Sequence, residues 1–178
     1  AGEGPLGMLI YTSGTTGKPK GVEVTHGMLR AQVEALLEEW EISQQDRFLN
    51  SLPLHHVHGV LISLLCPLFA GGAVHFVPRF EPDRVWEALL RPAHGVRPTF
   101  FTGVPTMYSK LLAAAPTHAE DLRHSLRLSM SGSSAMPESV RGQWQDTTGL
   151  LVAERYGMSE GGMLLSQRVF DPTRGPGY

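Results

Sequence analysis

The hydrophobic positions along the chain form short apolar runs that alternate with segments of helical periodicity. The runs predict strands at residues 8–11, 21–24, 48–52, 73–77, 99–102, 126–130, 150–153 and 163–167. Helices are predicted at residues 59–69, 82–90, 106–115 and 137–147, and a further one follows Thr25, with Leu29, Val33, Leu36, Leu37 and Trp40 on one face. The alternation predicts an α/β fold: a layered, largely parallel twisted sheet with flanking helices.

Small or polar segments follow five of these predicted strands, after residues 11, 52, 102, 130 and 153. In open α/β sheets, ligands bind beyond the carboxyl ends of the strands. We therefore expect five strand ends to meet at one rim and to form a single binding site.

The most polar of these segments, residues 11–21, reads Tyr-Thr-Ser-Gly-Thr-Thr-Gly-Lys-Pro-Lys-Gly. Its glycines let backbone N–H groups approach phosphate oxygens, its hydroxyls add neutral donors, and its two lysines offset negative charge. The alternative is a flexible turn without a ligand, which would fit three or four such residues better than this long run. The segment therefore predicts a phosphate-binding loop.

This loop differs from the Walker A loop, G-x-x-x-x-G-K-[ST], at two positions. Thr12 stands where the first glycine belongs, and Pro19 stands where Ser or Thr belongs. Pro19 would also interrupt the helix that follows a Walker loop. The next residues, Gly21-Val22-Glu23-Val24, alternate as in a strand. We therefore expect a strand–loop–strand phosphate site.

Composition limits the class of protein without identifying it. The 178 residues carry a formal net charge of −2, with 18% charged residues, which argues against a nucleic-acid surface. The single cysteine, Cys66, cannot form an internal disulfide, and its apolar neighbours favour a buried, inert thiol. The apolar stretch 59–74 is too short and too interrupted for a membrane span. We expect an intracellular protein, of the cytoplasm or the mitochondrial matrix, whose chain begins within a longer protein.

Four motifs, in order, resemble those of the adenylate-forming acyl-CoA synthetases, the family that also contains luciferases and the adenylation domains of peptide synthetases. The motifs are the loop at residues 11–21, Leu52-Pro53-Leu54-His55-His56-Val57-His58-Gly59, Ser131-Gly132-Ser133-Ser134-Ala135-Met136-Pro137 and Tyr156-Gly157-Met158-Ser159-Glu160. The last has serine where the family has threonine. In wording, the motifs look most like those of the malonyl-CoA synthetases. The resemblance implies that residues 1–178 form the central part of an N-terminal AMP-binding (adenylation) domain.

The resemblance also implies an ATP-dependent acid–thiol ligase. Such an enzyme adenylates a carboxylate with release of pyrophosphate and then forms a thioester with coenzyme A. The expected ligands are ATP, Mg²⁺, coenzyme A and a short acid such as malonate. The alternatives are a medium-chain, long-chain or aryl acid ligase, and a catalytically inactive nucleotide-binding module. Because the family's C-terminal domain and its lysine are absent from this chain, we expect residues 1–178 alone to be inactive.

The expected nucleotide site combines the phosphate-binding loop with the two later turns. It consists of Thr12, Ser13, Gly14, Thr15, Thr16, Gly17, Lys18, Gly132, Ser133, Ser134, Tyr156 and Gly157. Tyr156 offers a flat face for adenine, although a lone tyrosine of this kind is more often a core residue. Lys20 is suited to the phosphates. The resemblance implies that Ser159 donates to the α-phosphate and that Glu160 binds Mg²⁺, so all three are candidate catalytic residues.

The histidine segment is the first candidate for the acid site. In the family, the second of the adjacent histidines, His56 here, lines the route of the carboxylate and the thiol, so we expect it to be both a catalytic and a substrate-binding residue. For His55 and His58 a packing role is at least as well supported. The spacing of the three histidines does not indicate a zinc site.

A second candidate for the acid site is a cation that could hold the second carboxylate of a dicarboxylate. Arg127 alternates with Ser129 and Ser131 on one face of its predicted strand, and we expect it to reach the rim and to bind substrate beside Gly132. A surface position is about equally well supported for Arg127. Arg79, which follows the strand at 73–77, is the next candidate.

Overall fold

The computed structural model describes residues 4–13, 18–91 and 95–167. Its strands are β1 Leu6–Thr12, β2 Lys20–Thr25, β3 Arg47–Asn50, β4 Ala73–Phe76, β5 Phe100–Gly103, β6 Leu128–Ser131, β7 Val152–Met158 and β8 Gly162–Ser166. Its α-helices are α1 His26–Glu39, α2 Cys66–Phe69, α3 Pro82–Leu90, α4 Pro105–Ala113 and α5 Glu138–Thr148. A π-helix occupies His58–Leu65, and a 3-10 helix, which the sequence analysis missed, occupies Ala119–His124.

Six of the strands form one sheet in the order β4-β3-β5-β6-β7-β8. The pairs from β4 to β7 are parallel, and β8 pairs antiparallel with β7 through a tight hairpin. The prediction of a largely parallel sheet with flanking helices is confirmed. Because parallel strands must be joined by crossovers, the helices cover both faces of the sheet.

Neighbouring residues of the central strands point to opposite faces and so supply two separate cores. Phe48 and Phe100 are buried against α1, the π-helix and α2, and their rings stack with centroids 4.1 Å apart. Leu49 and Phe101 lie on the other face, against α3, α4, α5 and the 3-10 helix. The parallel strands therefore form the middle layer between two layers of helices.

The helix α1 follows β2 without an intervening loop. The Thr25 hydroxyl accepts a hydrogen bond from the Met28 amide at 3.2 Å and caps the helix, as the sequence predicted. Val33, Leu36 and Trp40 are buried on its inner face. At its end, Trp40 Nε1 donates to the Ser166 hydroxyl at 2.9 Å, which ties α1 to the edge strand β8.

The strands β1 and β2 form a separate two-stranded antiparallel sheet, in which Thr12 lies opposite Lys20. The predicted strand–loop–strand arrangement is confirmed. The prediction that five strand ends of one sheet share a rim is wrong for β1, because β1 pairs only with β2 among the described strands. The segment predicted to bind phosphate is therefore carried by its own hairpin, β1–β2, packed on α1.

None of the helices in the described ranges is both long enough and apolar enough to cross a membrane.

Candidate functional site

A cleft of about 770 Å³ lies at the carboxyl ends of the parallel strands. Segments that follow four of these strands line it, together with the β7–β8 hairpin. The side chains that could act on a ligand there are His56, His58, Arg79, Ser133, Arg155 and Ser159. The cleft lies where ligands bind in folds of this type, and it brings together three of the four sequence motifs.

The predicted phosphate-binding loop is described only at its ends. Ser13, Lys18 and Lys20 are exposed, and Thr12 is half-buried in β1. Four of the predicted nucleotide-binding residues lie outside the described residues: Gly14, Thr15, Thr16 and Gly17. A small cavity of about 40 Å³ lies between the β1–β2 hairpin and the turn that carries Ser159 and Glu160. Met8 and Val24 line it on the side of the hairpin.

The motif at residues 156–160 lies partly within a strand. The sequence predicted a strand that ends at Ala153, but β7 continues to Met158, so Tyr156 and Gly157 belong to the strand. Tyr156 is 44% exposed, which leaves its ring accessible to a ligand. Glycine is required at position 157, since an added Cβ would lie 2.5 Å from the carbonyl oxygen of Gly162 in β8. Ser159 and Glu160 follow in the turn between the two strands.

Arg155 is a cleft residue that the sequence analysis missed. It is 4% exposed, and its guanidinium lies against the bare Cα of Gly132, where an added Cβ would be 2.6 Å from Cζ. Gly132 was predicted to give room to a nucleotide or acyl group. In the structure, the space beside its Cα holds the arginine side chain. The predicted turn after β6 is otherwise present: Ser133 lines the cleft at a left-handed φ of +72°, and Ser134 is exposed beside it.

The three histidines occupy different environments. The rings of His55 and His56 are exposed, with centroids 4.4 Å apart, and His56 lines the cleft. His58 is 6% exposed, and its Nε2 lies 2.8 Å from Thr102 Oγ1. Thr102 Oγ1 is 3.0 Å from the hydroxyl of Ser63, which donates to the backbone carbonyl of His58 at 3.4 Å.

One arrangement of protons satisfies all three of these contacts. In it, His58 Nε2–H donates to Thr102, the Thr102 hydroxyl donates to Ser63, and Ser63 donates to the His58 carbonyl. Burial of the ring, together with the nearby positive charge of Arg155 and the neighbouring His56, holds the pKa of His58 well below its usual value. The ring is therefore neutral, with its lone pair at Nδ1.

The expectation that Arg127 reaches the rim, from which it was to bind substrate, is wrong. Arg127 directly precedes β6, at the amino ends of the parallel strands and away from the cleft. Its Nε and Nη2 donate to the two carboxylate oxygens of Asp46, each at 2.8 Å, and Nη1 and Nη2 donate to the carbonyls of Trp40 and Glu41. The guanidinium also lies 5.3 Å from the centre of the Phe100 ring. Arg127 therefore stabilises the sheet at the amino ends of its strands, opposite the cleft.

Two further charged residues lie in or beside the site. Arg79, the second candidate cation, is exposed and lines the cleft after β4. Glu154, which the sequence analysis did not consider, is buried in β7, where it accepts from the Met136 amide and pairs with Arg141 at 3.7 Å. The sequence does contain a sign of both Glu154 and Arg155: two charged residues stand between an apolar run and Tyr156. Charged side chains at such positions of a strand are buried only when they have partners.

Comparison with known proteins agrees with this geometry. The AMP-binding enzyme family matches residues 5–177. A malonate–CoA ligase of Arabidopsis thaliana is 43% identical over 182 residues, which cover 94% of this chain and 29% of that protein. A mitochondrial malonate–CoA ligase of Homo sapiens is 44% identical over 180 residues, which cover 96% of this chain and 31% of that protein. The chain thus spans less than a third of the length of these relatives.

Solved structures show the same likeness. ATP-bound MatB from Rhodopseudomonas palustris superimposes with a TM-score of 0.87 at 34% identity, over 99% of this chain and 34% of that chain. A malonyl-CoA ligase in complex with methylmalonyl-CoA and AMP gives a TM-score of 0.83 at 37% identity, over 93% of this chain and 35% of that chain. With a family match across nearly its whole length, the chain belongs to the AMP-binding enzymes.

Proposed function

We propose that the protein joins malonate, or another short acid, to coenzyme A at the expense of ATP. The carboxylate is first adenylated, with release of pyrophosphate, and the acyl group then passes to the thiol. The observation that carries this proposal is the cleft, which places a buried cation, Arg155, and His56 beside Ser159 of the β7–β8 turn. The malonate–CoA ligases among the relatives support the choice of acid.

The described residues fit a nucleotide with Mg²⁺. Tyr156 offers an exposed ring for adenine, the Ser133 turn leaves the backbone accessible, and Lys18 and Lys20 are exposed on the hairpin beside the cleft. Glu160 is an exposed carboxylate in the β7–β8 turn, and carboxylate and phosphate oxygens are the ligands that Mg²⁺ prefers. Mg²⁺ would supply charge neutralisation at the phosphates.

The acid is held at the other part of the cleft. A dicarboxylate presents a second negative charge, and Arg155 offers a guanidinium that is already shielded from solvent, so a charge-assisted hydrogen bond there is strong. Arg79 adds a second, exposed positive charge to the same cleft. In this proposal Arg155 takes the role that the sequence analysis gave to Arg127, while His56 keeps its role beside the reacting carboxylate.

The test is exchange of pyrophosphate into ATP by the full-length protein, with malonate, acetate, octanoate or a cinnamate as the acid. We expect exchange to require an acid and to be fastest with malonate. Glu160→Gln should retain nucleotide binding and lower turnover about 10²-fold or more, because it removes the carboxylate for Mg²⁺. Glu87→Gln, on the exposed face of α3, is the matched control and should behave as the wild type.

Substrate choice is tested separately. Arg155→Met should lower kcat/KM for malonate about tenfold to a hundredfold relative to acetate, whereas Arg127→Met should leave the preference unchanged. A wild-type protein that prefers octanoate or cinnamate would contradict the dicarboxylate assignment and leave acid–thiol ligation standing. Nucleotide binding without exchange for any acid would instead favour the catalytically inactive module.

We further propose that residues 1–178 correspond to the central part of an N-terminal adenylation domain. The support is the match over residues 5–177, together with the 29% and 31% of the relatives that the chain covers. The compartment is proposed to be the cytoplasm or the mitochondrial matrix. One relative is a mitochondrial protein, which supports the second.

A further inference from the structure

The start of β8, directly after the turn that carries Ser159 and Glu160, is bonded by a side chain from another part of the chain. Gln32 of α1 reaches across to β8, and its Oε1 accepts a hydrogen bond from the Met163 amide at 2.7 Å. The two residues are 131 positions apart in sequence. Neither the four motifs nor the proposed chemistry assigns any role to Gln32.

The backbone of the turn is shaped around this contact. Gly162, directly before Met163, has a left-handed φ of +66°, and a Cβ there would lie 2.6 Å from Gln32 Oε1. A side chain at position 162 would therefore be strained by its backbone conformation and would also displace the Gln32 amide. Glycine at this position lets the amide approach the main chain and bond to it.

Gln32 also lies where three parts of the proposed site meet. It lines the cavity of about 40 Å³ that separates Met8 and Val24 of the phosphate-loop hairpin from the turn at residues 159–162. Its helix begins directly after β2, the strand that starts at Lys20. The continuous segment of β2 and α1 thus connects Lys20 to Gln32, and Gln32 in turn bonds Met163, which follows the turn.

The other end of β8 is anchored to the same helix, since Trp40 Nε1 donates to the Ser166 hydroxyl at 2.9 Å. Loss of the Gln32 contact would therefore remove the tie between α1 and the start of β8, while β8 stays paired with β7 and bonded to Trp40. The effect should be greatest at Ser159 and Glu160 and smaller at Arg155, whose Nη1 lies 4.0 Å from the Met163 sulfur.

We propose that Gln32 is a positioning residue for the nucleotide: it fixes the turn that carries Ser159 and Glu160 relative to the phosphate-loop hairpin. This inference rests on the proposed function in so far as Ser159 and Glu160 serve the phosphates and Mg²⁺. Gln32 itself touches the main chain at the start of β8, so its influence on the nucleotide is exerted through Gly162 and Met163, which directly follow the turn.

Gln32→Met tests the inference, because methionine has nearly the same volume but no hydrogen-bond acceptor of comparable strength. In the full-length protein we expect the Kd for Mg–ATP, measured by calorimetry without acid, to rise about fivefold to tenfold. The KM for malonate should rise by less, within about twofold, since Gln32 bonds only the main-chain amide of Met163, and the Met163 contact with Arg155 is a weak one through sulfur at 4.0 Å. Gln143→Met, on the exposed face of α5, is the matched control and should change neither value.

Hydrogen exchange at the Met163 amide gives a readout that does not depend on activity. Exchange should become faster in Gln32→Met and stay slow in Gln32→Glu, because a carboxylate still accepts the bond. Wild-type affinity for Mg–ATP in Gln32→Met would overturn the inference, as would equal losses for ATP and malonate. If the wild-type protein binds Mg–ATP but does not exchange pyrophosphate into ATP with malonate, only the substrate assignment is contradicted, and this inference is unaffected.

Discussion

The clamp between Arg127 and Asp46 gives the sharpest test of the structure. Arg127 is 27% exposed in its side chain and Asp46 only 4%, and the guanidinium bonds both carboxylate oxygens at 2.8 Å. Two charge-assisted hydrogen bonds at roughly 1.5 kcal/mol each give about 3 kcal/mol. This agrees with the lower end of the roughly 3–5 kcal/mol that removal of one member of a buried pair costs. Arg127→Met should therefore lower the free energy of unfolding by about 3 kcal/mol.

The assay is urea unfolding, followed by a double-mutant cycle with Asp46→Asn. Such a loss corresponds to a decrease of about 6–12 °C in Tm for a domain of this size. The two substitutions should be strongly non-additive, because each removes the partner of the other. Arg30→Met is the matched control: its ion pair with Glu34 is exposed and screened by solvent, so its loss should leave the unfolding transition nearly unchanged.

The clamp also predicts a dependence on pH. Burial by itself would raise the pKa of Asp46, but hydrogen bonds from Arg127, the Ser43 amide and Thr99 outweigh it and hold the pKa below its usual value of 3.8. A carboxyl with a depressed pKa adds stability above its unfolded pKa and loses it as the pH falls through the folded one. The clamp should therefore be complete at neutral pH and weaken below about pH 3.8. If Arg127→Met changed malonate selectivity and left stability unchanged, the structural role would be refuted.

Three further predictions concern the cores and the cleft. His58 is neutral when folded and takes up a proton when unfolded, so the free energy of unfolding should fall by up to about 1.4 kcal/mol per pH unit below pH 6.5; His58→Gln should flatten that slope in urea titrations. Gly132→Ala should force the Arg155 guanidinium aside, weakening malonate binding in calorimetry about tenfold while the protein still folds. Cys66 is fully buried, and burial raises the pKa of its thiol to about 12, so it should not react with a disulfide reagent at neutral pH until the protein unfolds, as a colorimetric titration would show.

Most elements were predictable because their apolar periodicity matches their burial. The helix at Pro82–Leu90 was predicted with its observed bounds, since Val85, Trp86 and Leu89 recur at helical spacing behind a proline at its start. The carboxyl end of β7 was not predicted correctly. Buried charges at Glu154 and Arg155 break the apolar run, so the pattern ends at Ala153 although the strand continues.

The errors at the candidate site have two physical causes. Alternation along a strand shows which face of the sheet a side chain occupies but not whether it lies near the amino or the carboxyl end. Arg127 was therefore placed near the carboxyl ends of the strands, although it lies at the amino ends. Apolar runs also do not say which strands pair, so β1 was assigned to the main sheet rather than to its hairpin with β2. The motif residues His56, Ser133 and Ser159 lie in one cleft as expected. Each follows a strand of the main sheet, and the crossovers that join parallel strands bring their carboxyl ends to the same side of the sheet.

The π-helix at His58–Leu65 makes the histidine network sensitive to the number of residues in the segment. The Cys66 amide bonds the Leu61 carbonyl, five residues back, and the Ser63 hydroxyl bonds the His58 carbonyl at the same spacing. A deletion of one residue between them would let the segment close as an ordinary α-helix with four-residue spacing. Ser63 would then no longer lie over His58, although every side chain of the network would still be present. The contacts of His58 therefore depend on the length of this segment as well as on the identity of its side chains.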